Sequence, residues 1–274
     1  MNLTTTKKLN NGVEIPMLGL GVFRCKDQEG VNCVKWALEA GYRHIDTAAL
    51  YENEEAVGQG IRESGVDRKD IFVTTKLAVT DMREGNVEEA FDKSLELLGM
   101  DYVDMYLIHW PEPGKVKATW AVLEKLYKQG RARAIGVSNF NKEHLDLLRD
   151  FEVVPAMNQM EFHPELVQPE LRAYCEQLGI AYEAWSPLGN STVLGLPTIN
   201  EIAQKHGKSA AQIIIRWDLQ HGVITIPKSV HQNRIIENSQ VFDFELSQEE
   251  MDAIDACNTG RHNGPNPINA PVQE

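Results

Sequence analysis

No stretch of the chain approaches the ~20 consecutive apolar residues that a bilayer-spanning helix needs. The opening residues, Met1 to Lys8, lack the apolar core of a secretory signal. Cysteine is sparse. Cys25, Cys33, Cys175 and Cys257 stand apart with no C-x-x-C pair, which suits reduced packing residues better than a disulfide framework or a zinc site. These absences lead us to expect a cytoplasmic protein. Positive charge is also short: 27 Lys and Arg against 40 Asp and Glu leave a net charge of −13, so the surface repels polyphosphate and anionic lipid. Nucleic acid and membrane are therefore not expected partners. An H-x-H pair is missing too, and with it the usual means of holding a catalytic metal at strand ends.

What is present is a regular alternation. At 274 residues the chain fits the roughly 250 that a closed β/α barrel needs, without a second domain. Asn11-Gly12, flanked by short extended runs, signals a hairpin before the main fold. Strand candidates follow at 18–22, 44–47, 71–76, 103–109, 134–137, 156–160, 181–185 and 223–227. Between them, helical periodicity runs over 29–40, 87–98, 118–129, 169–178 and 211–220, and a glycine closely follows each stretch as a stop signal. Several strands are apolar on consecutive residues, as in a parallel sheet buried on both faces. An open doubly wound sheet would call for G-x-G-x-x-G after its first strand, and Gly19-Leu20-Gly21 is followed by Arg24 instead. The expectation is one α/β domain over residues 1–274, a (β/α)8 TIM barrel with an N-terminal β-hairpin closing its bottom. The turn-rich segment 260–267 is expected to be a surface loop.

Catalytic groups of such barrels sit where strands end, at the carboxyl rim. The second predicted strand closes on Asp46, the third on Lys76 and the fourth on His109, with Tyr51 in the loop after Asp46. Each alone has an ordinary explanation: a helix cap, its buried partner, a satisfied core histidine, a surface tyrosine. Together they make chemical sense. A phenol with a pKa near ~10 is a poor acid or base at neutral pH unless its phenolate is stabilised. Lys76 would lower the tyrosine pKa by favouring the phenolate, Asp46 would keep the lysine charged, and His109 could hydrogen-bond a substrate oxygen. Such a set suits a carbonyl oxygen that gains negative charge and must be protonated, as in hydride reduction.

The stretch Gly41-Tyr42-Arg43-His44-Ile45-Asp46-Thr47-Ala48 with Tyr51, Asn53 and Glu54, and the later Ile226-Pro227-Lys228-Ser229, resemble the first and third signatures of the aldo-keto reductases. Leu107-Ile108-His109-Trp110-Pro111 and Gly136-Val137-Ser138-Asn139-Phe140 fall between them in family order. The resemblance implies Tyr51 as general acid, Asp46 and Lys76 as its modulators, and His109 as the orienting group. It implies NADPH as cofactor: Ser138, Asn139 and Gln159 on the nicotinamide carboxamide, Trp185 stacked on the ring, and Ser186, Leu188 and Asn190 in a pyrophosphate strap. Lys228, Ser229 and Arg234 would cradle the 2′-phosphate, with Glu237 and Asn238 near the adenine.

Phe23, Leu50, Leu77 and Trp110 match or adjoin positions that wall the carbonyl pocket in that family. The segment 112–119 is shorter than in typical bacterial members, and 190–195 lacks the usual Gly-Lys or Gly-Arg. The implied substrates are small aldehydes and dicarbonyls such as methylglyoxal or glyoxal, as in the bacterial 2,5-diketo-D-gluconate reductase and glyoxal reductase branch. A monomer is expected. Two rivals stand against this reading: a metal-dependent hydrolase on the same barrel, and an NADPH-binding redox sensor that acts by interaction.

Overall fold

A computed structural model describes residues 1–269. The expected domain runs to 274, and positions 270–274 lie outside the described residues. The chain opens with a hairpin of β1 (Thr6–Lys8) and β2 (Glu14–Pro16), antiparallel with Lys8 opposite Glu14. Asn11-Gly12 does fall in its turn, but the turn is longer than the two-residue type that this dipeptide favours. Residues 9–13 form the loop, closed by Leu9 N–H to Val13 O at 2.8 Å, with Gly12 at φ +87°.

Eight parallel strands follow: β3 (Leu20–Gly21), β4 (His44–Asp46), β5 (Phe72–Leu77), β6 (Val103–Ile108), β7 (Ala132–Ser138), β8 (Met157–Glu161), β9 (Ala181–Trp185) and β10 (Ile224–Thr225). Each pairs with its neighbours in chain order. A parallel bridge between Leu18 and Thr225 joins the first to the last, supported by Gly19 N–H to Thr225 O and Thr225 N–H to Met17 O, both 2.9 Å. The sheet is thereby closed, and a closed sheet leaves no edge to protect.

The helices are α1 (Asp27–Glu39), α2 (Glu54–Ser64), α3 (Val79–Glu84), α4 (Val87–Leu98), α5 (Val116–Lys128), α6 (Lys142–Asp146), α7 (Pro169–Gln177), α8 (Pro197–His206), α9 (Ala210–Gln220), α10 (Gln232–Ser239) and α11 (Gln248–Asp255). None among the described residues is long and apolar enough to cross a membrane.

Two apolar cores follow from the two-residue period of a strand. The outward pleat of the strands packs on the helices, so that Ile45, Val73, Leu77, Tyr106 and Ile108 share one cluster with Val57, Phe91 and Trp120. The inward pleat fills the barrel. Its lower layer, Phe72, Met105, Leu107, Ala134, Met157, Ala181 and Ile224, is capped by Leu9 and Ile15 of the hairpin, which therefore closes the bottom. Two residues on from Phe72 and again from Thr74, the same pleat carries Lys76, and the inward row above the apolar layer is polar.

Candidate active site

The inward pleat explains why the polar residues meet. Asp46, Lys76, Ser138, Gln159, Glu183 and Trp185 each stand an even number of residues from an inward position on their own strand, and His109 is two past Leu107. At the centre lies the Lys76 Nζ, fully buried. It donates to Asp46 Oδ1 at 2.6 Å, to Thr47 O at 2.8 Å and to Tyr51 Oη at 3.4 Å. Tyr51 arrives on a 3-10 turn, Ala49–Tyr51, that ends with Glu52 in the left-handed region at φ +55°. Its ring meets His109 edge-on at 5.5 Å and Phe23 at 5.0 Å. All four residues of the expected tetrad thus converge.

Burial is the largest single influence on each member. It opposes charge on Lys76 most strongly, yet Asp46, then Tyr51 and Glu183, hold the ammonium above its ordinary value. Burial likewise lifts the Asp46 carboxyl, with Lys76 pulling it back, and the 2.6 Å contact keeps the pair ionised. Tyr51 corrects an expectation. Lys76 does favour the phenolate, but burial is the larger influence and the phenol is shifted upward, not downward. Burial, aided by the Lys76 charge, pushes His109 down to about 3, so its imidazole is neutral at neutral pH.

Sequence reasoning missed Glu183. Gln159 Nε2 donates both to Asp46 Oδ2 at 2.7 Å and to Glu183 Oε2 at 2.6 Å, bridging the two carboxyls. Burial and then the Asp46 charge raise Glu183 to about 8, which keeps it neutral at pH 7 and leaves Lys76 and Asp46 as a balanced pair. The available signal was a lone charge inside Ala181–Trp185, otherwise an apolar and aromatic strand.

The residues expected to hold an amide lie beside this group. Ser138 Oγ donates to Gln159 O at 2.9 Å, and Asn139 Nδ2 reaches both His109 O and Ser138 Oγ at 3.0 Å. Asn139 Oδ1 accepts from Trp185 Nε1 at 2.9 Å, which fixes one edge of the indole. Non-glycine residues in the left-handed region cluster at these strand ends: Asn139 at +64°, Ser186 at +52°, Asn190 at +52° and Ser191 at +75°. Such strain persists where surrounding contacts over-determine the backbone, and it concentrates at binding sites. Leu188 is half-buried and Asn190 exposed in the loop that follows Trp185.

Beyond β10, Lys228 and Arg234 are exposed, with no ion-pair partner among the described residues, and the Ser229 hydroxyl is buried against the His231 backbone. Glu237 is half-buried and Asn238 buried on α10. Two unpaired cations beside a hydroxyl suit a phosphate, and the buried His109 Nδ1 lacks a hydrogen-bond partner in the mouth itself. The residues present therefore fit an anionic dinucleotide, which Lys228, Ser229 and Arg234 would hold by a phosphate.

The apolar walls divide. Phe23 and Leu50 stand in solvent next to Tyr51, 49% and 61% exposed, and Trp110 is half-buried at the end of β6. Leu77 is a correction. It has no exposed surface because it lies one residue past the inward Lys76, so the pleat turns it into the helix-side core. The tail is a loop at the surface as expected, and its residues 262–264 are half-buried against the barrel mouth, held by Glu161. Among the described residues no group of three or more His, Cys, Asp or Glu could hold a metal.

Comparison with known proteins agrees with this geometry. A family model described as the Aldo/keto reductase family matches residues 17–259. The chain is 57% identical over 268 residues to a glyoxal reductase of Bacillus subtilis (strain 168), covering 97% of each chain. It is 52% identical over 266 residues to a 9,11-endoperoxide prostaglandin H2 reductase of Trypanosoma cruzi (strain CL Brener), covering 95% of this chain and 94% of that one. Among solved structures, a Bombyx mori aldo-keto reductase in complex with NADP superposes with a TM-score of 0.92 at 37% identity, covering 100% of this chain and 99% of that one.

Proposed function

Because the chain belongs to the aldo/keto reductase family, we propose that it reduces small aldehydes and dicarbonyls, glyoxal and methylglyoxal among them, with NADPH as reductant. The observation that carries the reading is the position of Lys76, 2.6 Å from Asp46 and 3.4 Å from the Tyr51 hydroxyl at the end of an apolar barrel. Bound NADPH supplies the hydride.

The chain supplies the proton and the orientation. Tyr51, kept protonated by burial, donates to the carbonyl oxygen as charge develops there, and Lys76 stabilises the phenolate left behind. Asp46 keeps Lys76 charged and in place. His109, neutral at pH 7, directs a ring N–H at the same oxygen without adding a second positive charge beside Lys76. Ser138, Asn139 and Gln159 hold the nicotinamide amide, and Trp185 forms the wall behind the ring. Ser186, Leu188 and Asn190 strap the pyrophosphate, Lys228, Ser229 and Arg234 take the 2′-phosphate, and Glu237 and Asn238 border the adenine. Phe23, Leu50 and Trp110 give the substrate an apolar and open surround, which favours small carbonyls over any one bulky shape.

A steady-state panel tests this. NADPH oxidation followed by absorbance is expected with glyoxal, methylglyoxal and simple aromatic aldehydes. Strict preference for a bulky steroid ketone would overturn the substrate reading, and binding of NADPH without any turnover would favour a sensor.

A further inference from the structure

Glu161 ends β8 on the inward pleat, two residues past Gln159, and the proposed reaction has no use for it. Its side chain is 2% exposed and touches no Lys or Arg among the described residues. Five contacts satisfy the carboxylate instead. Oε1 accepts from Asn263 N–H at 2.7 Å and Gly264 N–H at 3.2 Å, and lies 3.2 Å from His163 Nε2. Oε2 lies 3.1 Å from His262 Nδ1 and 3.3 Å from the Gly264 nitrogen. Burial pushes this carboxyl up, but the donors of His163, Asn263 and Gly264 outweigh it and hold it below its ordinary range. A buried carboxylate is tolerated only with such donors, so this one gathers a tail segment from some 100 residues further along the chain.

The tail arrives at a consequential place. A Cβ on Gly264 would come within 2.4 Å of Trp185 Cη2, so the backbone there presses on the outer edge of the indole. Asn139 holds the opposite, Nε1 edge. Asn263 Nδ2 would lie 3.2 Å from a Cβ on Gly189, in the loop that follows Trp185. Just upstream, Thr259 and Arg261 N–H both bond Glu165 O, at 3.1 and 3.2 Å.

We propose that Glu161 is a positioning residue: its carboxylate latches residues 262–264 over the barrel mouth and thereby fixes Trp185 and the Gly189 loop in the places from which they hold the cofactor. The latch rests on the cofactor reading above, since Trp185 and that loop matter to catalysis only as the nicotinamide wall and the strap.

Glu161→Gln keeps the shape but leaves one acceptor oxygen and sets an NH2 group where Oε2 met the Gly264 N–H and the His262 ring. In the cofactor-free protein, hydrogen exchange of a peptide covering 259–266 should quicken at least about tenfold while the barrel strands stay protected. The indole emission should shift, and the shift should vanish in a Trp185→Phe background. NADPH Kd and KM should rise about tenfold, with kcat at saturating NADPH within about threefold, because the cofactor reseats the ring when it binds. Gly264→Ala is the second variant. It leaves the carboxylate intact but drives a methyl into Trp185, and it should weaken NADPH similarly.

Unchanged tail exchange in Glu161→Gln would overturn the latch. Faster exchange with wild-type NADPH affinity and Trp185 emission in both variants would overturn its positioning role. A wild-type protein that binds no NADPH would sink the cofactor reading, and with it the positioning role, whereas the exchange data would still report whether Glu161 holds the tail.

Discussion

The floor and the mouth of the barrel use the same inward pleat of the same strands and meet burial in opposite ways. Strand β5 shows both: Phe72 sits in the apolar layer that Ile15 and Leu9 close from below, and Lys76, further along the same face, sits fully buried as an ion. The floor gains stability by removing apolar surface from water, at about 25 cal/mol per Å². The mouth gains little or nothing from its ion pair, because desolvating two charges costs about as much as their attraction returns. What the pair provides is a fixed ammonium next to a phenol. One end of the barrel is therefore built for stability, and the other holds groups whose arrangement makes sense only for chemistry.

The sharpest way to break that comparison is Lys76→Met. It strands Asp46 without its partner, so denaturant unfolding should show a loss of about 3–5 kcal/mol, and turnover should vanish. Adding Asp46→Asn should return part of the stability and none of the activity. A fully stable, inactive Lys76→Met protein would show that the mouth carries no buried ionic cost. At the floor, Ile15→Ala should cost about 2–5 kcal/mol with kcat and KM within about twofold of wild type. A large loss of activity in a folded Ile15→Ala protein would show that the two ends are not independent.

Acid provides a gentler probe of both ends. Burial depresses His44, which packs on Phe72 toward the floor, and His109 at the mouth, each from 6.5 to about 3. Between those values the unfolded chain binds protons that the folded one refuses, so stability present above pH 6.5 should be lost as pH falls toward 3. Unfolding free energies measured from pH 7 to 4 should therefore slope less steeply in His44→Gln or His109→Asn, and an unchanged slope in both would contradict the assignment. The smallest effect is expected outside the barrel, where Arg234→Ala should weaken NADPH about tenfold and leave NADH unchanged. Equal wild-type affinity for the two cofactors would remove the phosphate cradle.

Much of this architecture was legible because strand period and rim position are local properties. The strand Ala181–Trp185 and the helix Val87–Leu98 have the bounds their periodicity implies. The helix Glu54–Ser64 was not apparent. Its Gly58 and Gly60 argue against a helix by propensity, and they are there because a Cβ at 58 would fall 2.1 Å from Leu98 O and one at 60 would fall 2.8 Å from Val34 Cβ, on two neighbouring helices. Tertiary packing decides that segment. The polar rim could be read from strand ends, but Leu77 was misplaced because residue order alone did not fix the pleat that turns it outward. Glu161 and the tail are some 100 residues apart, and no local pattern joins them. The direction of the Tyr51 shift was missed for a related reason: the charge of Lys76 is visible in a sequence, whereas the extent of burial is not.

The central claim is that Tyr51 is the proton donor of this mouth, and Tyr51→Phe removes its hydroxyl and little else. Methylglyoxal reduction should be measured for both proteins beside an NADPH titration. The account predicts a fall in kcat of about a thousandfold with NADPH affinity within about twofold of wild type. A Tyr51→Phe protein that reduces methylglyoxal at the wild-type rate would contradict it.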